Sequence, residues 1–320
     1  MIAWRHAAGV AQQPIRALAV LRNRLERLAH IAILWRGART SVILRALSTT
    51  MTDESPIIRL EHVVKKFDDF TAVDDVSFDV RRGEVFAFLG PNGAGKTTTI
   101  RMLTTLTRPT SGTIHLDGLD PVTRPTDVRR RFGVVFQDPS LDQDLTAWEN
   151  MQIHAVLYHV PRKLAGERAK TLLETFDLWD RRDDLVKTFS GGMRRRLEIA
   201  RGLLHTPALL FLDEPTLGLD PQSRNQMWTH VKSLNKSEGV TVFLTTHYME
   251  EAERVADRIA IIDRGKIVAI GSATELKTQT NADSLEGAFL ALTGHQIREE
   301  SVTSTDRMRQ MARMWRGARR

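Results

Sequence analysis

Gly90-Pro91-Asn92-Gly93-Ala94-Gly95-Lys96-Thr97-Thr98 follows a short strand-like run, residues 84–89, and opens a segment that reads as a helix from about 95 to 107. The spacing G-x-x-x-x-G-K-[ST] between a strand and a helix is that of a phosphate-binding loop. Its glycines let the backbone N–H groups from Gly90 to Thr98, Pro91 excepted, wrap a polyphosphate at a helix N-terminus. Lys96 supplies a point charge to the β- and γ-phosphates, and the Thr97 hydroxyl is placed to ligate Mg²⁺. A glycine turn that merely happens to precede lysine would lack the flanking strand and helix. By itself the motif says nucleotide and no more.

Two further stretches narrow the reading. Leu209-Leu-Phe-Leu-Asp-Glu214 is a buried strand with two carboxylates at its C-terminal end, where ligands bind in open α/β sheets. Asp213 suits the Mg²⁺ shell, and Glu214 suits a base that orients or deprotonates the water attacking the γ-phosphate. Standing alone, such a pair reads as a helix start or a solvated turn. Phe189-Ser-Gly-Gly-Met193 leads into a helix over residues 194–204. There Ser190, Gly191 and Gly192 expose a cluster of amides and one hydroxyl, a second anion site, though a lone Ser-Gly-Gly is ordinarily a plain helix cap.

Outward from these motifs the chain reads as α/β. Residues 57–67 and 76–80 alternate, and 113–116, 132–136, 209–212 and 240–244 are strand-like. Residues 259–262 and 266–270, joined by Asp263-Arg264-Gly265, read as a hairpin. Helices are expected over 163–176, 222–234 and 249–255. Between 145 and 188 the period is helical throughout. Thr146 and Glu149 have capping-box spacing there, and Pro161 separates two helices. Strands alternating with helices imply a largely parallel sheet, here with an all-helical insert.

The chain has 320 residues, 42% of them apolar and 27% charged, with no cysteine. Disulfides, iron–sulfur clusters and thiolate zinc sites are thereby excluded. No stretch approaches the ~18 uninterrupted apolar residues of a spanning helix, so the chain is not expected to cross a bilayer alone. The net charge of +7 is unevenly spread. Residues 1–50 carry eight arginines against Glu26, and residues 301–320 carry six against Asp306. The remainder, 51–300, holds 32 basic and 37 acidic residues, or −5. Residues 1–50 stand open to three readings: a basic amphipathic helix on an anionic membrane, with Leu18, Leu21, Leu25, Leu28, Ala32 and Trp35 on one face; a targeting peptide; or an over-extended reading frame. The last is favoured, because Met51-Thr-Asp-Glu-Ser-Pro opens directly onto strand-like sequence.

Taken in order, the phosphate loop, Gln137, Ser190-Gly-Gly, Leu209–Glu214, Gly218-Leu-Asp220 and Thr245-Thr-His247 resemble the nucleotide-binding subunit of an ABC transporter, over about residues 57–271. The resemblance implies a P-loop NTPase core with a mostly parallel sheet, an antiparallel β subdomain and an α-helical insert at about 144–190. The ATPase domain is expected over 51–280, flanked by a basic extension at 1–50, untranslated or disordered, and by a C-terminal exporter-type extension and basic tail at 281–320. By matching position, Phe67 resembles the aromatic that stacks on adenine. Gln137 resembles the glutamine that senses Mg²⁺ and contacts the membrane partner. Asp220 resembles the aspartate that communicates between protomers, and His247 the histidine that clamps the γ-phosphate. ATP and Mg²⁺ are the implied cofactors, with Lys96, Gln137, Glu214 and His247 as catalytic residues.

The same resemblance implies partners. One phosphate loop, one Ser-Gly-Gly element and no internal repeat point to a homodimer in which Ser190 completes the site of a second copy. A separate permease then binds beside Gln137 and the helical insert, at the cytoplasmic face of the membrane, and no nucleic acid is expected. Ser-Gly-Gly-Met-Arg-Arg-Arg196, residues 246–253 and residues 285–294 are similar to the drug-exporter branch typified by daunorubicin-resistance ATPases. Met193 and Phe189 depart from the commoner glutamine and leucine without removing the anion-binding amides, and Gly287 and Ala288 stand where that branch tends to carry Asp-Val. The weighed alternatives are an ABC ATPase acting on ribosomes or DNA, an importer ATPase, and a nucleic-acid-binding module built on the arginine-rich ends. The first usually needs two nucleotide domains or a long coiled coil, and this chain has neither.

Overall fold

The computed structural model describes residues 55–294. The basic segment 1–50, its apolar face between residues 18 and 35, Met51, and the tail with Arg316, Gly317 and Arg319 lie outside the described residues. The chain begins with β1 (Ile58–Phe67), β2 (Phe70–Val80) and β3 (Val85–Leu89), then α1 (Lys96–Leu103), β4 (Ser111–Leu116), α2 (Pro125–Arg129) and β5 (Phe132–Val135). Two helices follow, α3 (Ala147–Leu157) and α4 (Arg162–Thr175), then single helical turns at Trp179–Arg181 and Val186–Thr188. Next come α5 (Gly191–Leu203), β6 (Leu209–Asp213), α6 (Pro221–Glu238), β7 (Thr241–Thr246) and α7 (Met249–Val255). β8 (Arg258–Asp263), β9 (Lys266–Gly271), α8 (Ala273–Thr280) and α9 (Leu285–Thr293) complete it.

Two sheets result. One is antiparallel, β2-β1-β4; the other has six strands in the order β5-β6-β7-β3-β8-β9. Within the second, β5 through β8 pair in parallel and only the β8–β9 hairpin is antiparallel. β3 and β6 are buried at every position, which is why they read as continuous apolar runs. Alternate residues serve opposite cores. Phe86 and Phe88 join Phe78, Phe211 and Phe243 under the antiparallel sheet, while Val85, Ala87 and Leu89 belong to the other core, which the helices from α3 to α9 line. The expected α/β class, with its mostly parallel sheet and antiparallel companion, is the observed one.

Several boundaries differ from the sequence reading: α5 starts at Gly191, not 194, β4 at Ser111, not 113, and three others differ for a clear local reason. The helix expected to reach residue 107 stops at Leu103. Thr105 turns to φ 64°, and the amides of Leu106 and Thr107 fold back onto the Arg101 carbonyl. β2 begins at Phe70 rather than Val76. The pairing with β1 is irregular between Leu60 and Val63, where His62 and Asp75 both take positive φ and so break the alternation. α6 runs four residues past Leu234 and ends where Gly239 adopts φ 69°. The Thr146–Glu149 capping box forms in both directions, with Glu149 N donating to Thr146 Oγ1 (3.1 Å) and Thr146 N to Glu149 Oε2 (2.8 Å).

Candidate functional site

Register brings the motifs together. Leu89 lies opposite Thr246, and Asp213 opposite Thr245, so the residues after β3, β6 and β7 leave the sheet side by side at its carboxyl edge. Val135 pairs with Leu212, which places the segment carrying Gln137 next to Asp213. The loop Gly90, Pro91, Asn92, Gly93, Ala94 and Gly95 curls from β3 into α1, where Lys96, Thr97 and Thr98 form the first turn. Gly95 has φ 110°, and a Cβ there would meet the Ala72 carbonyl at 2.6 Å, so only glycine fits between loop and β2.

Lys96 is 7% exposed. Its Nζ donates to the carbonyls of Gly90 (2.7 Å) and Pro91 (3.3 Å) and lies 4.0 Å from Glu214 Oε1. Burial lowers the ammonium pKa, and the carboxylates of Glu214 and Asp213 oppose that shift. Asp213, also buried, accepts from Thr245 Oγ1 at 2.6 Å; burial raises its pKa and that hydroxyl draws it back. Glu214 sits just beyond the strand end with φ 48°, a left-handed backbone that aims its side chain back across the loop. Its amide donates to the Thr245 carbonyl (3.2 Å) and hydroxyl (3.1 Å). His247 Nδ1 is 2.7 Å from Glu214 Oε2. A buried cation, a carboxylate and an imidazole thus share one edge.

The donor set suits a hard divalent ion shared with phosphates. No group of three or more His, Cys, Asp and Glu residues able to hold a metal occurs among the described residues. Mg²⁺ typically takes one or two carboxylates and fills its remaining positions with phosphate oxygens and water. Asp213 with the Thr97 hydroxyl meets that description; Gln137 is exposed on the adjacent loop.

Phe67 stands at the β1–β2 hairpin opposite Phe70, 47% exposed, with Lys65 Nζ 4.7 Å from its ring centre. The same hairpin meets the phosphate loop through Ala72, which brings this aromatic to the loop's flank. Ser190 and Asp220 lie elsewhere, at the amino ends of α5 and α6, both exposed. Ser190 Oγ accepts from Met193 N (3.2 Å). Asp220 accepts from the Ser223 amide (2.9 Å) and hydroxyl (2.6 Å), which hold its pKa below the usual carboxylate range. The two helix tips touch, since a Cβ on Gly192 would fall 2.6 Å from Ser223 Oγ, and Gly191 faces Leu219. Ser190, Gly191 and Asp220 therefore form one exposed surface, whereas Gly192, expected to expose its amide, is buried beneath it because the α6 tip at Ser223 packs directly on it.

Sequence reasoning missed Arg195 and Thr245. Arg195 is buried and donates to backbone carbonyls around Glu214 and Gln137. In the run Arg194-Arg195-Arg196 it resembles a solvated residue. Its partner Glu198, one turn on, was the available signal. Thr245 was read only as part of a motif before His247, not as the hydroxyl that holds Asp213.

The family described as ABC transporter matches residues 73–217. The chain is similar to the daunorubicin/doxorubicin resistance ATP-binding protein DrrA of Streptomyces peucetius, 48% identical over 73% of this chain and 71% of that protein. It is 46% identical to the Nod factor export ATP-binding protein I of Ralstonia nicotianae, covering 70% of each. It is 42% identical to the linearmycin resistance ATP-binding protein LnrL of Bacillus subtilis, covering 72% and 73%. A solved ATP-binding subunit of an ABC transporter superposes with TM-score 0.68 at 30% identity, covering 74% of this chain and 99% of that one. A dimeric ATP-binding cassette in a post-hydrolysis state with ADP and Pi superposes with TM-score 0.61 at 27% identity, covering 67% and 98%. With its phosphate loop, its acidic strand end and its histidine on one sheet edge, the chain belongs to the ABC transporter family, as an ATP-binding and ATP-hydrolysing subunit.

Proposed function

We propose that this subunit hydrolyses Mg-ATP as a homodimer, to drive export of an amphipathic drug- or lipid-like molecule through a separate membrane permease. It sits at the cytoplasmic face of the membrane; no described helix is long and apolar enough to cross one. The observation that carries the reading is the separation of two half-sites. Lys96, Asp213, Glu214 and His247 share the sheet edge, whereas Ser190 and Asp220 stand exposed at two touching helix tips away from it. A second copy supplies what each edge needs.

In this reading the backbone N–H groups of residues 92–98 and the Lys96 ammonium hold the β- and γ-phosphates, with Phe67 against the adenine. Thr97 and Asp213 would hold Mg²⁺, which supplies charge neutralisation, with Gln137 as its sensor. Glu214 orients the attacking water, and its 2.7 Å contact with His247 keeps both groups at the γ-phosphate position. Little covalent chemistry is asked of the protein; positioning and charge do most of the work. Loss of the γ-phosphate removes the charge-assisted contacts that span the two copies and lets them part. The exporter direction and the class of cargo rest on the relatives, whose names concern daunorubicin, Nod factor and linearmycin.

The test is co-expression with the permease in a drug-sensitive host. Daunorubicin accumulation is expected to fall with the native chain and to recover with Lys96→Ala or Glu214→Gln. ATPase activity stimulated by ribosomes or DNA, without any efflux, would overturn the export reading.

A further inference from the structure

Helix α5 carries Ser190 at its tip and, five residues on, the guanidinium of Arg195. That residue is 7% exposed, and its guanidinium makes four hydrogen bonds. Nη1 donates to the Phe136 carbonyl (2.7 Å) and to Glu198 Oε2 (2.9 Å), Nε to the Pro215 carbonyl (2.8 Å), and Nη2 to the Glu214 carbonyl (3.3 Å). Two of those carbonyls belong to the peptides that immediately follow the Glu214 side chain. The third belongs to the residue just before Gln137. A single planar fork thus spans the backbone of the proposed base and the root of the loop that faces the permease.

The far end of that loop is tied to the same helix. Glu198 Oε1 accepts from Ser140 N (2.7 Å), and Arg201 donates to the Ser140 carbonyl (2.8 Å) and hydroxyl. Residues 137–139 are exposed between two anchors on α5. Glu214 takes a left-handed backbone, φ 48°, which for a non-glycine side chain persists only where neighbours enforce it. Three carbonyls and one carboxylate lie in the directions of one fork, a geometry that an ammonium point charge cannot match.

We propose that Arg195 is a positioning residue for hydrolysis: it fixes the Glu214 peptide and the Gln137 loop to the helix whose tip meets the second copy. The idea rests on Glu214 being the base and Ser190 meeting the partner's nucleotide, as argued above. Movement at the tip of α5 then reaches the base and the permease-facing loop together, through one side chain.

The experiment uses the full-length chain. ATP affinity is measured by fluorescent-nucleotide titration, and kcat and KM by phosphate release, for Arg195→Lys, Glu198→Gln, Glu214→Gln and the Arg195→Lys/Glu214→Gln double variant. Arg195→Lys is expected to lower kcat at least tenfold, with ATP affinity and KM within about threefold of the native values. Added to Glu214→Gln, it is expected to lower kcat no further, because it acts through that residue. Glu198→Gln, which loosens one anchor, is expected to lower kcat by a smaller factor. Native kcat in folded Arg195→Lys or in Glu198→Gln overturns the proposal, as does an equal fall in affinity and kcat, which marks a purely structural role. Native turnover in Glu214→Gln instead sinks the underlying assignment of the base.

Discussion

Lys96 and Glu214 hold opposite charges 4.0 Å apart at a buried edge, and each answers to a different measurement. In the proposed reading Lys96→Ala removes a charge-assisted contact to phosphate, worth about 1.5–3 kcal/mol, so ATP affinity is expected to drop roughly tenfold to hundredfold. A titration with native affinity would remove Lys96 from phosphate binding. Glu214→Gln keeps the size of the side chain and its approach to His247 while losing basicity. ATP is expected to remain bound and kcat to fall by about 10²–10⁴-fold in a phosphate-release assay. The placement of both side chains at one sheet edge was legible in the sequence, because each follows a strand-like run at a fixed spacing. Arg195 and Thr245 were not legible. What matters in them is which backbone carbonyl or carboxylate they reach, and that is decided by sheet register, not by neighbours in sequence.

At the scale of elements, β7 is the keystone of the aromatic core. Phe243 is fully buried, its ring centre 5.5–6.2 Å from those of Phe78, Phe86, Phe88 and Phe211. Phe243→Ala is expected to cost about 3–5 kcal/mol, read as a lowered midpoint in denaturant. The joint between α3 and the end of α5 behaves differently. His154, Tyr158 and His205 stack there, with Tyr158 and His205 ring centres 3.9 Å apart. Burial, helped by the Arg201 charge, lowers the His154 pKa to about 3; burial lowers that of His205 to about 4. Both values lie below the unfolded value of about 6.5, so the unfolded chain binds more protons. Stability is full above about 6.5 and is lost as pH falls towards the folded values, by roughly 1.4 kcal/mol per unit for each histidine. His154→Phe, which keeps the ring stack, is expected to shrink the stability loss between pH 7.5 and 5.5 in urea titrations. An unchanged loss would discount the cluster. Most elements were legible from apolar runs and capping residues. The misread ends at Leu103 and Phe70 lie where positive φ at Thr105, His62 and Asp75 bends the chain in ways that no periodicity records.

For the whole molecule, Ser190, Gly191 and Asp220 make one exposed surface, which the proposed dimer would seat against the nucleotide of a second copy. Ser190→Arg introduces bulk at that surface while leaving the phosphate loop untouched. ATP binding is expected to stay native, and the ATP-dependent dimer of the Glu214→Gln background is expected to vanish by light scattering. A normal dimer would show that the surface does not meet a second copy. The strand order carries one more consequence. β3, which leads into the phosphate loop, pairs with β7 and β8, whose residues begin at Thr241 and Arg258. During translation Val85–Leu89 therefore waits for some 150 residues before either neighbour emerges from the ribosome. Until then it is an apolar ribbon with two open edges, prone to self-association and in need of chaperone cover.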